Sequence, residues 1–312
     1  MNFHLKKPSF WDLSKPNFIS YLLIPFSIPI ILNNFFFQFI KKEKSTIIKT
    51  ICVGNIYLGG TGKTPLTIKI YEILKSLDKK VATIKKNHSN QKDEQLLLDQ
   101  KTSLIVSKSR KDAIQQGVNK NYDILVFDDG LQETKIDYDI KLVCFKSKNW
   151  IGNGQLLPAG PLREKISSLK RFDAVFLNGS SNSFEKIENQ IKNINSNIKI
   201  FKTFYKISNI QKYDLSLKYL IFSGIGNPSD FKDILLDNKF DIAREMVFPD
   251  HHEYSDNDFE KIQNYARNES LKILTTEKDY MKISMKFKKE IDFLAIDLII
   301  KNENKLIELL NN

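Results

Sequence analysis

The chain has 312 residues, 41% of them hydrophobic and 27% charged, which excludes a disordered chain and leaves room for about two domains with a substantial core. A net charge of +11 and a pI near 9.3 favour anionic partners: nucleic acid, acidic lipid or a phosphorylated substrate. The lysines are spread along the chain rather than gathered in a block, so part of that charge is ordinary solvated surface. Cys52 and Cys144 each fall in an apolar, strand-like run, as buried free thiols of a reducing compartment do. With only His4, His88, His251 and His252 besides, no zinc spacing is present.

From Phe18 to Ile40 the sequence carries no charge, and Lys6, Lys7, Lys15 and Lys41–Lys44 flank it. Its length would permit a membrane span, but Pro25, Pro29 and the Asn33-Asn34 pair argue against one clean helix through hydrocarbon. No small-residue cleavage site follows, so a secretory signal is a poor fit. Residues 1–45 are therefore predicted to form a membrane-associated segment lying in the interface of an anionic bilayer. A buried hairpin capping the core is the alternative.

The β-branched run Ile47–Val53 reads as a buried strand, and Leu66, Ile70, Ile73, Leu74 and Leu77 recur at helical spacing. Between them lies Gly59-Gly60-Thr61-Gly62-Lys63-Thr64-Pro65. Strand, glycine-rich turn and a helix opening at Gly-Lys-Thr make a phosphate-binding loop. Glycines let backbone N–H groups converge on phosphate oxygens, and the helix N-terminus adds partial positive charge. Lys63 would reach the β- and γ-phosphates, and the Thr64 hydroxyl would ligate Mg²⁺. Tyr57 stands where the strict pattern has its first glycine.

Further strands are predicted at Val81–Ile84, Leu104–Val106, Ile124–Phe127 and Ile140–Phe145. The fourth strand of this set, counting Thr50–Val53 as the first, runs into Asp128-Asp129-Gly130. An apolar strand ending in aspartate is where a phosphate-loop enzyme holds Mg²⁺. Asp93-Glu94, ahead of Leu96-Leu97-Leu98, reads from the residues alone as no more than an ordinary helix N-terminal charge pair. Gly152–Pro161, rich in glycine and proline, marks an irregular connection and the predicted domain boundary. Just past it, Arg163 has the fork geometry to clamp a phosphate, with a surface salt bridge as the plain alternative.

The remainder alternates again, with strands at Ala174–Leu177, Ile198–Phe204, Tyr219–Ser223, Leu271–Thr275 and Phe293–Ile300. Helices are predicted after Ser183, Ser229 and Ser255, the last with a capping sequence. In the loop Pro249-Asp250-His251-His252 an aspartate could orient an imidazole for proton transfer, although loop histidines are more often merely solvated. The whole reads as α/β: a P-loop NTPase-like N-terminal domain over 46–165, a second, smaller α/β domain over 166–312, and the N-terminal membrane-associated helical segment.

Taken in order, Val53-Gly54-Asn55, Gly59–Pro65, Asp128–Gln132, Gly152-Asn153-Gly154, Leu157–Glu164, Gly224–Pro228, Asp250–His252 and Thr275–Asp279 resemble the tetraacyldisaccharide 4′-kinases, the lipid A 4′-kinases of Gram-negative bacteria. The resemblance implies transfer of the ATP γ-phosphoryl group to the 4′-hydroxyl of a lipid A disaccharide 1-phosphate precursor. It also implies an N-terminal segment embedded, as a peripheral or monotopic anchor, in the cytoplasmic face of the inner membrane. Gly59, Gly60, Thr61, Gly62, Lys63 and Thr64 would hold ATP, and Thr64, Asp128, Asp129 and Glu94 would serve Mg²⁺. Asp93 and His251 would act together as the base, with His252 an adjacent choice, and Arg163 would steady transferred charge beside Lys63. The chain departs from the family at Thr83–His88, which replaces a Ser-Arg-Gly-Tyr-Gly-Arg segment, at Lys92, which replaces a glycine, and at Glu133, which replaces a histidine.

A membrane-associated P-loop switch ATPase without lipid kinase activity is the alternative reading. A nucleic-acid-binding ATPase is suggested by net charge alone, and no basic stripe with interleaved aromatics supports nucleic acid as a partner. No obligate protein partner is evident.

Overall fold

The computed structural model describes residues 7–37, 39–45, 47–87, 91–133, 135–179 and 184–311. His4, Lys6, His88 and Ser183, all used above, lie outside these residues. Two helices open the chain, α1 (Phe18–Leu23) and α2 (Ile28–Phe37), joined by a 3₁₀ turn over Ile24–Ser27. Asn17 caps α1 by accepting from the Ser20 backbone N–H. The short strand β1 (Glu43–Lys44) precedes the central strand β2 (Lys49–Gly54), and α3 (Lys63–Ser76) buries the predicted Leu66, Ile70, Ile73 and Leu74.

The alternation continues through β3 (Val81–Lys86), α4 (Lys92–Lys101), β4 (Leu104–Ser107), α5 (Arg110–Asn119) and β5 (Ile124–Asp128). Next come β6 (Ile136–Asp137), β7 (Ile140–Lys146), β8 (Ala174–Asn178), α6 (Phe184–Ile194) and β9 (Lys199–Ile207). The chain ends with β10 (Lys218–Ser223), α7 (Pro228–Asp237), β11 (Asp241–Val247), α8 (Asp256–Asn268), β12 (Lys272–Thr276), α9 (Glu277–Tyr280), β13 (Ile291–Leu294), β14 (Ile296–Ile300) and α10 (Glu303–Asn311). The predicted capping sequence at α8 is a full capping box between Ser255 and Asp258.

Two differences from the sequence reading have physical causes. The run Phe293–Ile300, expected as one strand, divides into β13 and β14, which enter different sheets. Strand β11 was not anticipated because it is a half-exposed edge strand with charged residues along it, so its sequence shows no apolar run.

The larger sheet has the order β14-β9-β8-β7-β2-β5-β3-β4, and the smaller one β11-β10-β12-β13. Every pairing from β9 to β4 in the first, and every pairing in the second, is parallel. Parallel strands buried on both faces explain the near-continuous apolar runs that made them legible. In the smaller sheet, successive residues alternate between two cores. Leu220, Phe222 and Ile273 pack with Phe259 and Ile262 of α8, while Tyr219, Ile221 and Leu274 pack with Phe231 and Leu235 of α7.

The chain folds into two compact units. One combines Leu5–Asn87, Thr102–Phe204 and Leu298–Asn312 around the larger sheet; the other combines His88–Lys101 with Tyr205–Asp297 around the smaller. The division thus falls after Phe204, where the sequence reading put it near residue 165. Strands β8 and β9 extend the first sheet in register with β7, so no seam exists at the glycine-rich connection. Helix α4, although flanked in sequence by β3 and β4, belongs to the second unit.

Candidate active site

The phosphate loop leaves β2 at the centre of the larger sheet, where strand order reverses between β5 and β7, the position at which open α/β sheets take ligands. Gly62 is the N-cap of α3 with φ +89°, and no side chain caps the helix. Its first N–H groups are therefore left for an external acceptor such as phosphate. Gly59 has φ +129°, and a Cβ at Gly59 or Gly60 would meet no atom within 4 Å, so the loop surface is open there. Buried Asn55 ties the loop together, its side-chain N–H₂ donating to the carbonyls of Tyr57 and Gly59 and to the Thr61 hydroxyl. Tyr57 is buried and bridges to Leu162, and its hydroxyl donates to Asp12 at 2.6 Å. The missing glycine is thus a packing position and not part of the phosphate cradle.

The connection around Arg163 docks onto this loop through backbone bonds, Leu58 N–H to Pro161 and Arg163 N–H to Ile56, at 2.8 and 2.7 Å. Arg163 is thereby brought beside Asp129, with Nη1 3.6 Å from Oδ1 and 3.0 Å from the Gln132 side-chain oxygen. Lys63 Nζ lies 3.9 Å from the other oxygen of Asp129. Asp129 itself has a left-handed backbone, φ +58°, fixed by its N–H on Val53 and by Arg110 donating to its carbonyl.

Asp128 is 1% exposed, and register explains its neighbours. It pairs with Val53 across β5 and β2, while Phe127 opposes Ile84 across β5 and β3. Its oxygens accept from the Thr64 and Thr67 hydroxyls at 3.2 and 3.3 Å and from Lys85 at 2.6 Å. Sequence reasoning missed Lys85 and Thr67 as members of this cluster. The signal available was the strand alignment, which places the ends of β3 and β5 side by side.

Among the described residues no three His, Cys, Asp or Glu side chains gather into a metal cage. Mg²⁺ does not need one, since it takes one or two carboxylates plus nucleotide oxygens and water. The oxygen donors Thr64, Asp128 and Asp129 suit it, and Asp129 Oδ1 is buried without a hydrogen bond among the described residues.

The second unit assembles the other predicted residues. Asp93, on the first turn of α4, is 2% exposed, and its two carboxylate oxygens lie 2.9 and 3.0 Å from His251 Nδ1. Lys278 Nζ sits 3.4 Å and Lys282 Nζ 3.7 Å from the same carboxylate. Burial pushes the Asp93 carboxyl up, but the His251 hydrogen bond and the two lysine charges outweigh it and hold the group well below the usual carboxylate range. Lys278 also approaches Glu94 and Asp250, at 3.6 and 3.7 Å. Burial lowers Lys278, but these carboxylates with Asp93 and Asp279 leave it raised overall. His252 faces away from this group: it stacks on Phe248 and approaches Asp258 at 3.3 Å. Geometry therefore pairs Asp93 with His251. Glu94 lies in this unit with Lys278, whereas Thr64, Asp128 and Asp129 lie in the other.

Residues 20–312 match the family model described as tetraacyldisaccharide-1-P 4′-kinase. The chain belongs to that family. It is 47% identical to the tetraacyldisaccharide 4′-kinase of Pelagibacter ubique, over 98% of each chain. The enzyme of the same description from Rickettsia canadensis is 31% identical, across 96% of this chain and 95% of that one. Among solved structures, LpxK from Aquifex aeolicus, determined in complex with ATP, superposes with a TM-score of 0.71 at 24% identity, covering 94% of this chain and 98% of that chain. At that identity the superposition speaks for the fold alone, which is an α/β P-loop NTPase fold.

Proposed function

We propose that the protein transfers the γ-phosphoryl group of ATP to the 4′-hydroxyl of a tetraacyldisaccharide 1-phosphate, a step of lipid A biosynthesis. Family membership across nearly the whole chain carries this reading, and the chemistry of the two clusters accords with it. Phosphoryl transfer depends on positioning and charge neutralisation more than on covalent help. The Gly59–Thr64 backbone and Lys63 would hold the ATP phosphates, and Arg163 would take up charge on the group in flight. Thr64 and one or both of Asp128 and Asp129 would hold Mg²⁺, with Glu94 a further candidate, and the ion would supply positive charge to the phosphates. A sugar hydroxyl is a poor nucleophile. Asp93, kept ionised by His251 and the lysines, would orient the imidazole through Nδ1, so that Nε2 receives the hydroxyl proton. A switch ATPase has no use for such a base, and the family assignment does not favour that alternative.

The exposed apolar segment supports a place at a membrane. Phe18–Phe37 is helical and apolar, and little of it is buried. With lysines on both sides it would rest in the cytoplasmic face of the inner membrane of a Gram-negative bacterium, where the acyl chains of the substrate remain in the bilayer. The test uses purified protein in detergent micelles with γ-labelled ATP, Mg²⁺ and the tetraacyldisaccharide 1-phosphate. Label on the 4′-position supports the reading. ATP hydrolysis that leaves the lipid unlabelled overturns it in favour of the switch ATPase.

A further inference from the structure

Lys85 ends up where a lysine side chain is rarely left. It is 1% exposed, with Nζ 2.6 Å from Asp128 Oδ2, and that aspartate is equally buried. The position follows from strand register: Ile84 opposes Phe127, so the next residue on each strand meets at the carboxyl ends of β3 and β5 beside the phosphate loop. We infer that Lys85 is a resident cation of the phosphate site, which neutralises Asp128 and keeps that carboxylate out of the metal's coordination, leaving Asp129 to meet the divalent ion. The inference rests on the Mg²⁺-dependent kinase reading given above.

Counting donors separates the two aspartates. Asp128 Oδ2 accepts from Lys85 and from the Thr64 hydroxyl, and Oδ1 accepts from the Thr67 hydroxyl. Both of its oxygens are engaged by groups that pack firmly around it. Asp129 is different. Oδ1 has no hydrogen bond among the described residues, and its two cations, Lys63 at 3.9 Å and Arg163 at 3.6 Å, stand beyond hydrogen-bond reach. A hard divalent ion seeking a carboxylate oxygen finds one on Asp129 without displacing an ammonium group. Lys85 is in this account a positioning residue: it acts on the metal through Asp128 and by its own charge. A purely structural ion pair would have the same distance but no influence on metal affinity.

The experiment measures Mn²⁺ uptake by electron paramagnetic resonance on the full chain in micelles, with a non-hydrolysable ATP analogue. Lys85→Met is expected to bind Mn²⁺ roughly tenfold more tightly, because one unit positive charge leaves a weakly screened site. Asp129→Asn is expected to weaken binding by about tenfold or more, for the converse reason. Breaking one side of a buried pair can prevent folding, so the double variant Lys85→Met, Asp128→Asn, which removes both charges together, is measured beside them. It is expected to stay within about threefold of wild type, since the net charge near the ion is unchanged. Loss of Mn²⁺ binding in the double variant, or an unchanged affinity in a folded Lys85→Met, overturns the inference. Wild-type protein that takes up no Mn²⁺ with nucleotide overturns the Mg²⁺-dependent reading itself.

Discussion

At His251 the backbone is left-handed, φ +58°, a conformation uncommon outside glycine. Its N–H donates to the Gly224 carbonyl, and Nδ1 bonds to Asp93. His251→Ala is therefore expected to lower kcat by about 10²–10⁴-fold, the usual range for losing a general base. His252→Ala should change kcat little and instead cost about 1 kcal/mol of stability through the lost stack on Phe248. Thermal melts and initial rates on the same two variants separate the roles. Asp93 adds a pH signature. Its carboxyl is held well below the usual carboxylate range in the folded state, so its contribution to stability is complete above that range and lost as pH falls through the lower folded-state value. Urea melts of wild type and Asp93→Asn should differ by roughly 1–3 kcal/mol at neutral pH and converge in strong acid. Lys63→Ala, which removes a charged phosphate donor, should reduce turnover by about 10²–10³-fold with the melting temperature little changed.

Among the elements, the N-terminal helices reverse the usual amphipathic arrangement. Ser20, Ser27 and Asn34, spaced seven apart, face the protein. The Ser20 hydroxyl accepts from Asn153, Ser27 donates to the Leu156 carbonyl, and Asn34 donates to the Arg163 carbonyl at 3.0 Å. Phe18, Tyr21, Leu22, Phe26, Phe35 and Phe36 are left exposed. The sequence reading weighed Asn33-Asn34 as an argument against a clean span, and Asn34 proves to be the polar contact that docks the segment beside Arg163. Replacing Phe26 and Phe36 together by Ser should leave the melting temperature within about 2 °C, since neither ring packs inside the protein, yet release the chain from vesicles containing anionic lipid. Retained vesicle binding would refute a membrane role for this face. The strands that carry the site were legible because parallel strands buried on both faces are written as unbroken apolar runs. The edge strand β11 and the union of Lys85 with Asp128 were not, because one lacks that pattern and the other depends on which strands become neighbours.

Over the whole molecule, the helix α4 is the part that sequence order conceals. It lies between two strands of the larger sheet, yet its residues join the smaller unit, where Lys101 pairs with Glu277 of α9 at 2.7 Å. Only that topology brings Asp93 to His251, 158 positions later in the chain. The resemblance named the two residues; local patterning alone could read Asp93-Glu94 as nothing more than a charged helix start. In the proposed reaction Lys63 would hold the phosphate and His251 would take the proton of the sugar hydroxyl. The most direct measurement is the partition of the ATP γ-phosphoryl group between tetraacyldisaccharide 1-phosphate and water, for wild type, Lys63→Ala and His251→Ala side by side. Transfer to lipid is expected for wild type, its loss in Lys63→Ala, and a steep fall in His251→Ala that no rise in ATP restores. Transfer by His251→Ala at the wild-type rate would contradict it.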